Sequence, residues 1–528
     1  MRTHAVTARR GVSVFGRSAD ESARDRQHVP MGRTADEIDD ATPLAGSRID
    51  LGARIGWLLR TWRVGSGVTL RGLRERLTEA GAAYSAATLS RFEVSGTRSS
   101  VAIAAYERAL GLPYGRLRAP VDVVCRTFAY APPDLAPVLP EPSLAAFSAA
   151  CDAVGESPTG HDWLRFAEHH ALGGFGLPLG EVEGHITRLA SELGRSTGLG
   201  YQLRYEALAK LRCSAYADVV YDVVRAAVAE PGVQRLADLL SAVSEQPTPE
   251  LLAWCGTLLC DDSPVVGRAA CLAIQNIRSV IGSVGTEGWL RLAPVYAEAC
   301  NAFADDPARG PLLSSTLAAC APPFRTAVRE RLTVSLPEPR RASRWSRDRL
   351  NEHFALAMEI AATAAAGRTG EQMLARLVFE LLYDFRATHS VTSAFLVAAS
   401  VFATDVQKLL SGAALSGPDE VTRHGAAYAF ANLMLRPDDL DLAQWLASED
   451  PVILGAGLHI AGFAGHALPM TDLCRLARDG GDTARDALFA AGMAGHPELP
   501  ALSVDPSLPA EVRAGAAWWL RSGARVID

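Results

Sequence analysis

Residues 69–93 read TLRGLRERLTEAGAAYSAATLSRFE, and their periodicity decides the fold. Leu70, Leu73 and Leu77 recur at i, i+3 and i+7, one face of a helix. Thr69 stands just before them as a candidate N-cap. Ser85 caps a second helix that buries Leu89 and Phe92. Between them, Thr78–Tyr84 contains Gly81 and reads as a turn. Two short amphipathic helices joined by such a turn make a helix-turn-helix.

The helical pattern extends in both directions. Ile55, Leu58, Leu59 and Trp62 predict a helix upstream, ended at Gly65-Ser66-Gly67. Downstream, a helix capped by Ser99 or Ser100 buries Ile103, Tyr106 and Leu110 and stops at Gly111. Residues 48–118 thus form one helical domain. Residues 1–47 are polar, mixed in charge and aperiodic, which predicts a disordered leader, with Met31 as a second candidate start. Seven prolines between Pro113 and Pro142 predict a Pro-rich linker over 119–142. Residues 143–335 and 350–415 return to Ala/Leu-rich helical periodicity on either side of a Pro/Arg-rich connection, 336–349. Alternating, β-branched runs are scarce, so the expected fold class is all-α.

Residues 416–528 carry an internal repeat. Gly425-Ala426-Ala427-Tyr428, Gly455-Ala456-Gly457-Leu458, Arg485-Asp486-Ala487-Leu488 and Gly515-Ala516-Ala517-Trp518 are spaced by 30. Asn432, Gly462, Gly492 and Ser522 keep the same phase. Two helices and their turns fit this period, and small residues at fixed positions let stacked helices approach closely. The region resembles short HEAT-like repeats of an α-solenoid, whose units bury apolar faces on one another. The repeat also accounts for Pro451–Thr471, a stretch without Asp, Glu, Lys or Arg, as a buried repeat helix and not a membrane span.

Charge divides the chain. Residues 48–118 hold twelve arginines against five acidic residues, whereas 1–47 hold seven of each sign. With a total of −7, residues 119–528 carry −14. A basic module beside an acidic body predicts that the module alone meets a polyanion. The nine cysteines show no CxxC and no zinc spacing, and most sit among apolar neighbours, as in core residues of a reducing cytoplasm. No cofactor is expected.

The basic module resembles the Cro/cI-like (XRE) helix-turn-helix family of transcriptional regulators. Leu58-Leu59-Arg60, Thr69, Leu73, Ser85-x-x-x-Leu89-Ser90-Arg91-Phe92-Glu93, Gly96-Thr97-Arg98 and Ala109-Leu110-Gly111 carry the match. It covers about 70 of 528 residues, and its connections before Thr69 and across Thr78–Tyr84 exceed the family's usual length. The resemblance implies binding to a double-stranded DNA operator as a homodimer. It places Ser85, Ala86, Ala87 and Thr88 at base edges, with Arg91 one turn on. Arg71 and Arg98 fall to phosphates, and Arg60 with Glu93 forms a structural ion pair. The body is then expected to sense, dimerise or recruit, as a cytoplasmic regulator that joins the nucleoid when bound. The alternative is a helical-repeat receptor for a peptide or protein, with DNA binding secondary.

Other motifs fail on context, and no enzyme chemistry is expected. Gly194-Arg195-Ser196-Thr197-Gly198 spells GxSxG but follows a helical run instead of a strand. Gly455-Ala456-Gly457 opens like a dinucleotide site yet lies inside the repeat. His169-His170 lacks a metal-ligand spacing. The cluster Arg340, Arg341, Arg344, Trp345, Arg347 and Arg349 reads as an exposed connection, with phosphate or acidic-partner binding as its functional reading.

Overall fold

The computed structural model describes residues 40–43, 48–128, 130, 143–280, 284–307, 309–338, 347–367, 371–384, 386–435 and 440–528. Among them the chain is all-α, with 27 helices and no strand. The leader expected over 1–47 falls almost wholly outside the described residues.

The first five helices are α1 (Leu51–Gly65), α2 (Leu70–Glu79), α3 (Ala86–Ser95), α4 (Ser100–Leu110) and α5 (Arg118–Thr127). Their caps are those read in the sequence. Thr69 accepts from the Gly72 amide, Ser85 from Thr88 and Ser99 from Ala102, each satisfying an amide that a helix start leaves without a partner. Gly111, at φ +68°, ends α4 in the left-handed region. The linker expected over 119–142 is helical over its first nine residues. Pro120 sits in the first turn of α5, where a missing N–H breaks no helical bond. The Glu107 carboxylate accepts from the amides of Gly115, Leu117 and Arg118, so α4 caps α5. Residues 131–142 lie outside the described residues.

Eleven helices follow: α6 (Leu144–Ala153), α7 (Gly160–Leu172), α8 (Leu179–Leu193), α9 (Gly198–Arg212), α10 (Ala217–Val228), α11 (Ala237–Ser244), α12 (Pro249–Leu258), α13 (Pro264–Ser279), α14 (Thr286–Phe303), α15 (Gly310–Ala319) and α16 (Pro322–Arg329). The next four are α17 (Arg347–Ala365), α18 (Glu371–Tyr383), α19 (Ala387–Ala399) and α20 (Ala403–Ser416). The last seven are α21 (Glu420–Leu433), α22 (Leu442–Leu446), α23 (Pro451–Ala464), α24 (Met470–Asp479), α25 (Gly481–Ala494), α26 (Leu499–Val504) and α27 (Ala510–Ser522). Among the described residues no helix is long and apolar enough to cross a membrane.

The 30-residue spacing has a direct structural counterpart. Long helices α21, α23, α25 and α27 each pack on the next, and α22, α24 and α26 each pair with the long helix that follows. Glycine makes this approach feasible. A Cβ on Gly492 would stand 1.9 Å from the Trp519 ring, and one on Gly462 would stand 2.7 Å from Phe489. Both rings belong to the next long helix. Bonds repeat as well: His424 Nε2 meets Asp450 at 2.7 Å, and His459 Nε2 meets Asp486 at 3.1 Å. Gly425 lies so close to α18 that a Cβ would fall 2.4 Å from the Leu382 carbonyl oxygen. Because that obstacle is backbone, Gly425→Ala is expected to destabilise by about 1–3 kcal/mol. Urea denaturation checks this, and an unchanged midpoint would refute the close contact.

Two large apolar cores organise the described residues, and neither follows sequence order. Side chains from α1–α5 share one core with α17–α23, including Trp57, Leu58, Phe379, Phe402 and Trp445. Residues 123–328 share the other with the later C-terminal helices, down to Trp518 and Trp519. The connection between α10 and α11 seals the second: Glu230 accepts from the Trp518 indole at 2.7 Å, and the Arg235 guanidinium lies over Phe489. The N-terminal helices are therefore built into the body. Trp57 stacks on Phe402, and the Trp62 indole donates to the Ala399 carbonyl at 2.8 Å.

Candidate nucleic-acid interface

Helices α1 to α4 pack together around the segment whose sequence predicts a helix-turn-helix. Leu73 and Leu77 turn α2 inward, and Leu89 does the same for α3. Phe92 packs edge-on against Tyr84 of the α2–α3 turn. That turn runs from Ala80 to Ser85, with Gly81 at φ +79°. α3 lies on α1 and α2, and its outer face is open: Ala86, Ala87, Ser90, Arg91 and Val94 are all exposed. Ala86, Ser90 and Val94 follow one another at i+4, flanked by Ala87 and Arg91, so they form one continuous stripe.

Close approach of α1 and α3 orients this stripe. Gly52 and Gly56 bring α1 against the end of α3, where a Cβ on Gly56 would stand 2.9 Å from the Glu93 backbone. Glu93 is buried and bound by Arg63, whose Nε and Nη2 each donate to a carboxylate oxygen at 2.7 Å. Arg63 Nη1 also donates to the Val68 carbonyl. The expected ion pair between the first and third helices thus exists, but its arginine is Arg63 and not Arg60. At 100° per residue, Arg63 falls between Gly52 and Gly56 on the stripe that carries α3, whereas Arg60 lies about 60° farther round. Arg60 is buried.

The expected DNA-contacting residues separate into four groups. Ala86, Ala87 and Arg91 lie on the open face, and Arg91 has no ion pair among the described residues. Arg71 is exposed on α2 and pairs with Glu75 at 3.0 Å, a contact that solvent screens heavily. Ser85 is exposed, but its hydroxyl receives the Thr88 amide and bonds the Thr88 hydroxyl at 2.9 Å, and Thr88 is half-buried. Arg98 is half-buried and pairs with buried Asp122 of α5, so its guanidinium is engaged within the fold. Two residues passed over in the sequence share the same open surface. Ser90 occupies the middle of the open stripe, and Arg74 is exposed on α2 without an ion pair among the described residues. The i+4 relation of Ser90 to Ala86 was the available signal.

The module's positive charge is split between two tasks. Arg48, Arg71, Arg74, Arg76, Arg91 and Arg108 are exposed, facing only Glu75 and Glu79 as exposed acids. The other six arginines point inward. Arg54 donates to both oxygens of Glu380 in α18, at 2.7 and 2.8 Å, and to Asp40 at 2.9 Å. Arg118 pairs with Glu168 of α7 at 2.6 Å, and Arg116 covers the Trp62 ring. Beside α5, Arg126 binds Glu206 and Glu245, and Lys210 lies within 4 Å of Asp122, Glu168 and Glu206. Burial works against the Asp122 carboxylate's charge, but Lys210, Arg98 and Arg118 around it hold its pKa below the usual range.

Glu380, Asp384 and His389 bring ligand-type atoms within 4.8 Å of one another. Their carboxylates are already occupied. Both Glu380 oxygens accept from Arg54, one also from Arg376 and the other from Ser393, while Asp384 binds Arg386. The cluster is a charge network that ties α1 to α18 and α19. The remaining motifs are structural too. Ser196 is buried between helices α8 and α9, and its hydroxyl donates to the Leu193 carbonyl. Gly455 and Gly457 lie inside α23. His170 is buried in the last turn of α7 against Phe166, and His169 is half-buried beside it. The Arg/Trp cluster of 340–349 lies outside the residues whose side chains are described. No family model and no curated protein matches this chain.

Proposed function

We propose that this protein is a sequence-specific DNA-binding transcriptional regulator of the XRE helix-turn-helix kind, acting in the cytoplasm and on the nucleoid. The observation that carries this reading is α3: an N-capped helix with an uncovered outer face, beside six exposed arginines and two exposed acids. Such a helix suits the major groove, and exposed arginines suit the phosphates beside it. Arg91 supplies a two-pronged donor for guanine, whereas Ala86 and Ala87 offer apolar contact to thymine methyls. Operator binding as a homodimer follows from the resemblance, and the reading requires no catalysis and no cofactor. The stacked pairs α21–α27 read as short HEAT-like repeats of an α-solenoid, giving the body its sensing, dimerising or partner-binding role.

The test is selection of DNA from a random library by the full chain, followed by footprinting. A recurrent motif is expected, with affinity falling linearly in log–log against salt. Recovery of no motif at low salt would overturn the reading. Arg91→Ala is expected to lose about 1–3 kcal/mol of discrimination at one base position. The other positions should keep their preferences. An identical motif from the variant would remove Arg91 from its role.

A further inference from the structure

We propose that the edge where α7 and α9 meet the ends of α23 and α25 is a recognition site for an extended Arg-x-x-Asp segment of a partner protein. The chain's own residues 524–528, Ala-Arg-Val-Ile-Asp, occupy it. Two successive repeats build one end of the site. Helices α23 and α25 both stop at a left-handed glycine, Gly465 and Gly495, whose amide returns to the Gly462 or Gly492 carbonyl. The Phe463 and Met493 carbonyls, one 30-residue period apart, turn to the segment instead. Arg525 Nη1 donates to the first at 2.7 Å, and the Arg525 amide donates to the second at 3.0 Å. Arg195 continues the line. Its carbonyl accepts from the Val526 amide at 2.9 Å, and its Nη1 donates to the Ala524 carbonyl at 2.6 Å.

The other end is a carboxylate pocket. Both Nη atoms of Arg204 reach Asp528, at 3.0 and 2.9 Å, and the Gly160 amide at the start of α7 donates to it at 3.3 Å. A Cβ on Gly200 would stand 1.9 Å from an Asp528 oxygen, so glycine keeps this space open. The pocket is preformed. Arg204 is wholly buried, and its donations to Glu192 and to the Gly200 and Pro158 carbonyls do not involve the segment. The occupant is held less firmly: none of residues 524–528 is buried, and Ile527 is 72% exposed. Few buried apolar contacts and exposed hydrogen bonds mark the part of a fold that opens most readily. The contacts between Arg525 and Asp528 are made by backbone, so the side chains read are an arginine and a carboxylate three residues on. These helices are distinct from those of the open α2–α3 face, so the proposal does not depend on DNA recognition.

The probe is a fluorescein-labelled, amidated peptide Gly-Ala-Arg-Val-Ile-Asp, followed by anisotropy at about 150 mM salt. The chain lacking residues 524–528 should bind it at least roughly ten-fold more tightly than the unaltered chain, where the tethered segment competes at high effective concentration. In the shortened chain, Gly200→Ala places a methyl group in the pocket and should weaken binding roughly ten-fold, as should Asn for Asp in the peptide. Alanine is the better helix former, so α9 should persist, and circular dichroism melts check each variant. Should the shortened chain fail to fold, Asp528→Ala in the full chain stands in and should also bind more tightly than the unaltered chain. Equal binding by the unaltered and opened chains, indifference to Gly200→Ala or to the Asn peptide, or no binding would overturn the proposal. Loss of cooperative melting in both opened chains would overturn it as well, since the segment would then be part of the fold's core. A dimer dissolved by the deletion would do the same, because the occupant would then be a second copy.

Discussion

Arg54→Ala is expected to destabilise the chain by about 3–5 kcal/mol, and Glu380→Ala by a comparable amount. Neither side chain has exposed surface, and both donor–acceptor distances lie below 2.9 Å. Removing the guanidinium leaves Glu380 with Arg376 and Ser393, and leaves half-buried Asp40 with the Thr42 amide but without its ion-pair partner. Lysine does not restore the site, because a point charge cannot reach both oxygens as the planar fork does. The double variant Arg54→Met/Glu380→Leu should cost less than either single change, since no buried charge is then left alone. A double-mutant cycle in urea measures this. Single variants with unchanged midpoints would show that the network contributes nothing.

The same pair sets an acid dependence. Burial pushes the Glu380 pKa up, but the charge and hydrogen bonds of Arg54, with His389 and Arg376 close by, hold it well below the usual 4.5. A carboxylate depressed in the folded state contributes stability above its unfolded value and loses it as pH falls through the folded value. The stability gap between the parent and Glu380→Gln should therefore be full at neutral pH, begin to shrink as pH falls past about 4.5, and be lost once pH has fallen through the folded value.

Local features were legible in the sequence. Thr69, Ser85 and Ser99 cap helices because each hydroxyl needs only an amide two or three residues on. The 30-residue period was legible because it repeats one packing solution, with Gly462 and Gly492 receiving the same kind of ring. What escaped the sequence is non-local. The apolar residues of α1 announce a helix but not that opposite faces meet different partners, one of which, Phe402, lies over 300 residues away. Twelve arginines announce a basic module, yet counting cannot separate Arg91 on the surface from Arg98 against Asp122. The Arg60-for-Arg63 error has the same origin: a three-residue difference on a helix changes direction by about 60°, and only the packing of Gly52 and Gly56 settles which residue faces Glu93.

Excised from the chain, residues 48–118 are expected to show no cooperative unfolding and to bind selected DNA at least 100-fold more weakly than the full protein. Every residue of α1 from Ala53 to Thr61 is buried in the whole chain, and a helix covered on all sides cannot form the surface of a free module. The fragment loses Phe402 from Trp57, the Ala399 carbonyl from Trp62, Glu380 from Arg54, Asp122 from Arg98 and Glu168 from Arg118. A domain of about 70 residues has little margin for such losses. Far-UV circular dichroism and gel shifts at matched salt check both parts. A fragment that melts cooperatively and binds as the full chain does would make the body a passenger. The expected failure has a mechanistic consequence. With α1 locked to α18 and α19, and α5 to α9, no free linker separates α3 from the body. On the proposed reading, a signal received by the body would reach α3 by moving the helices that hold it.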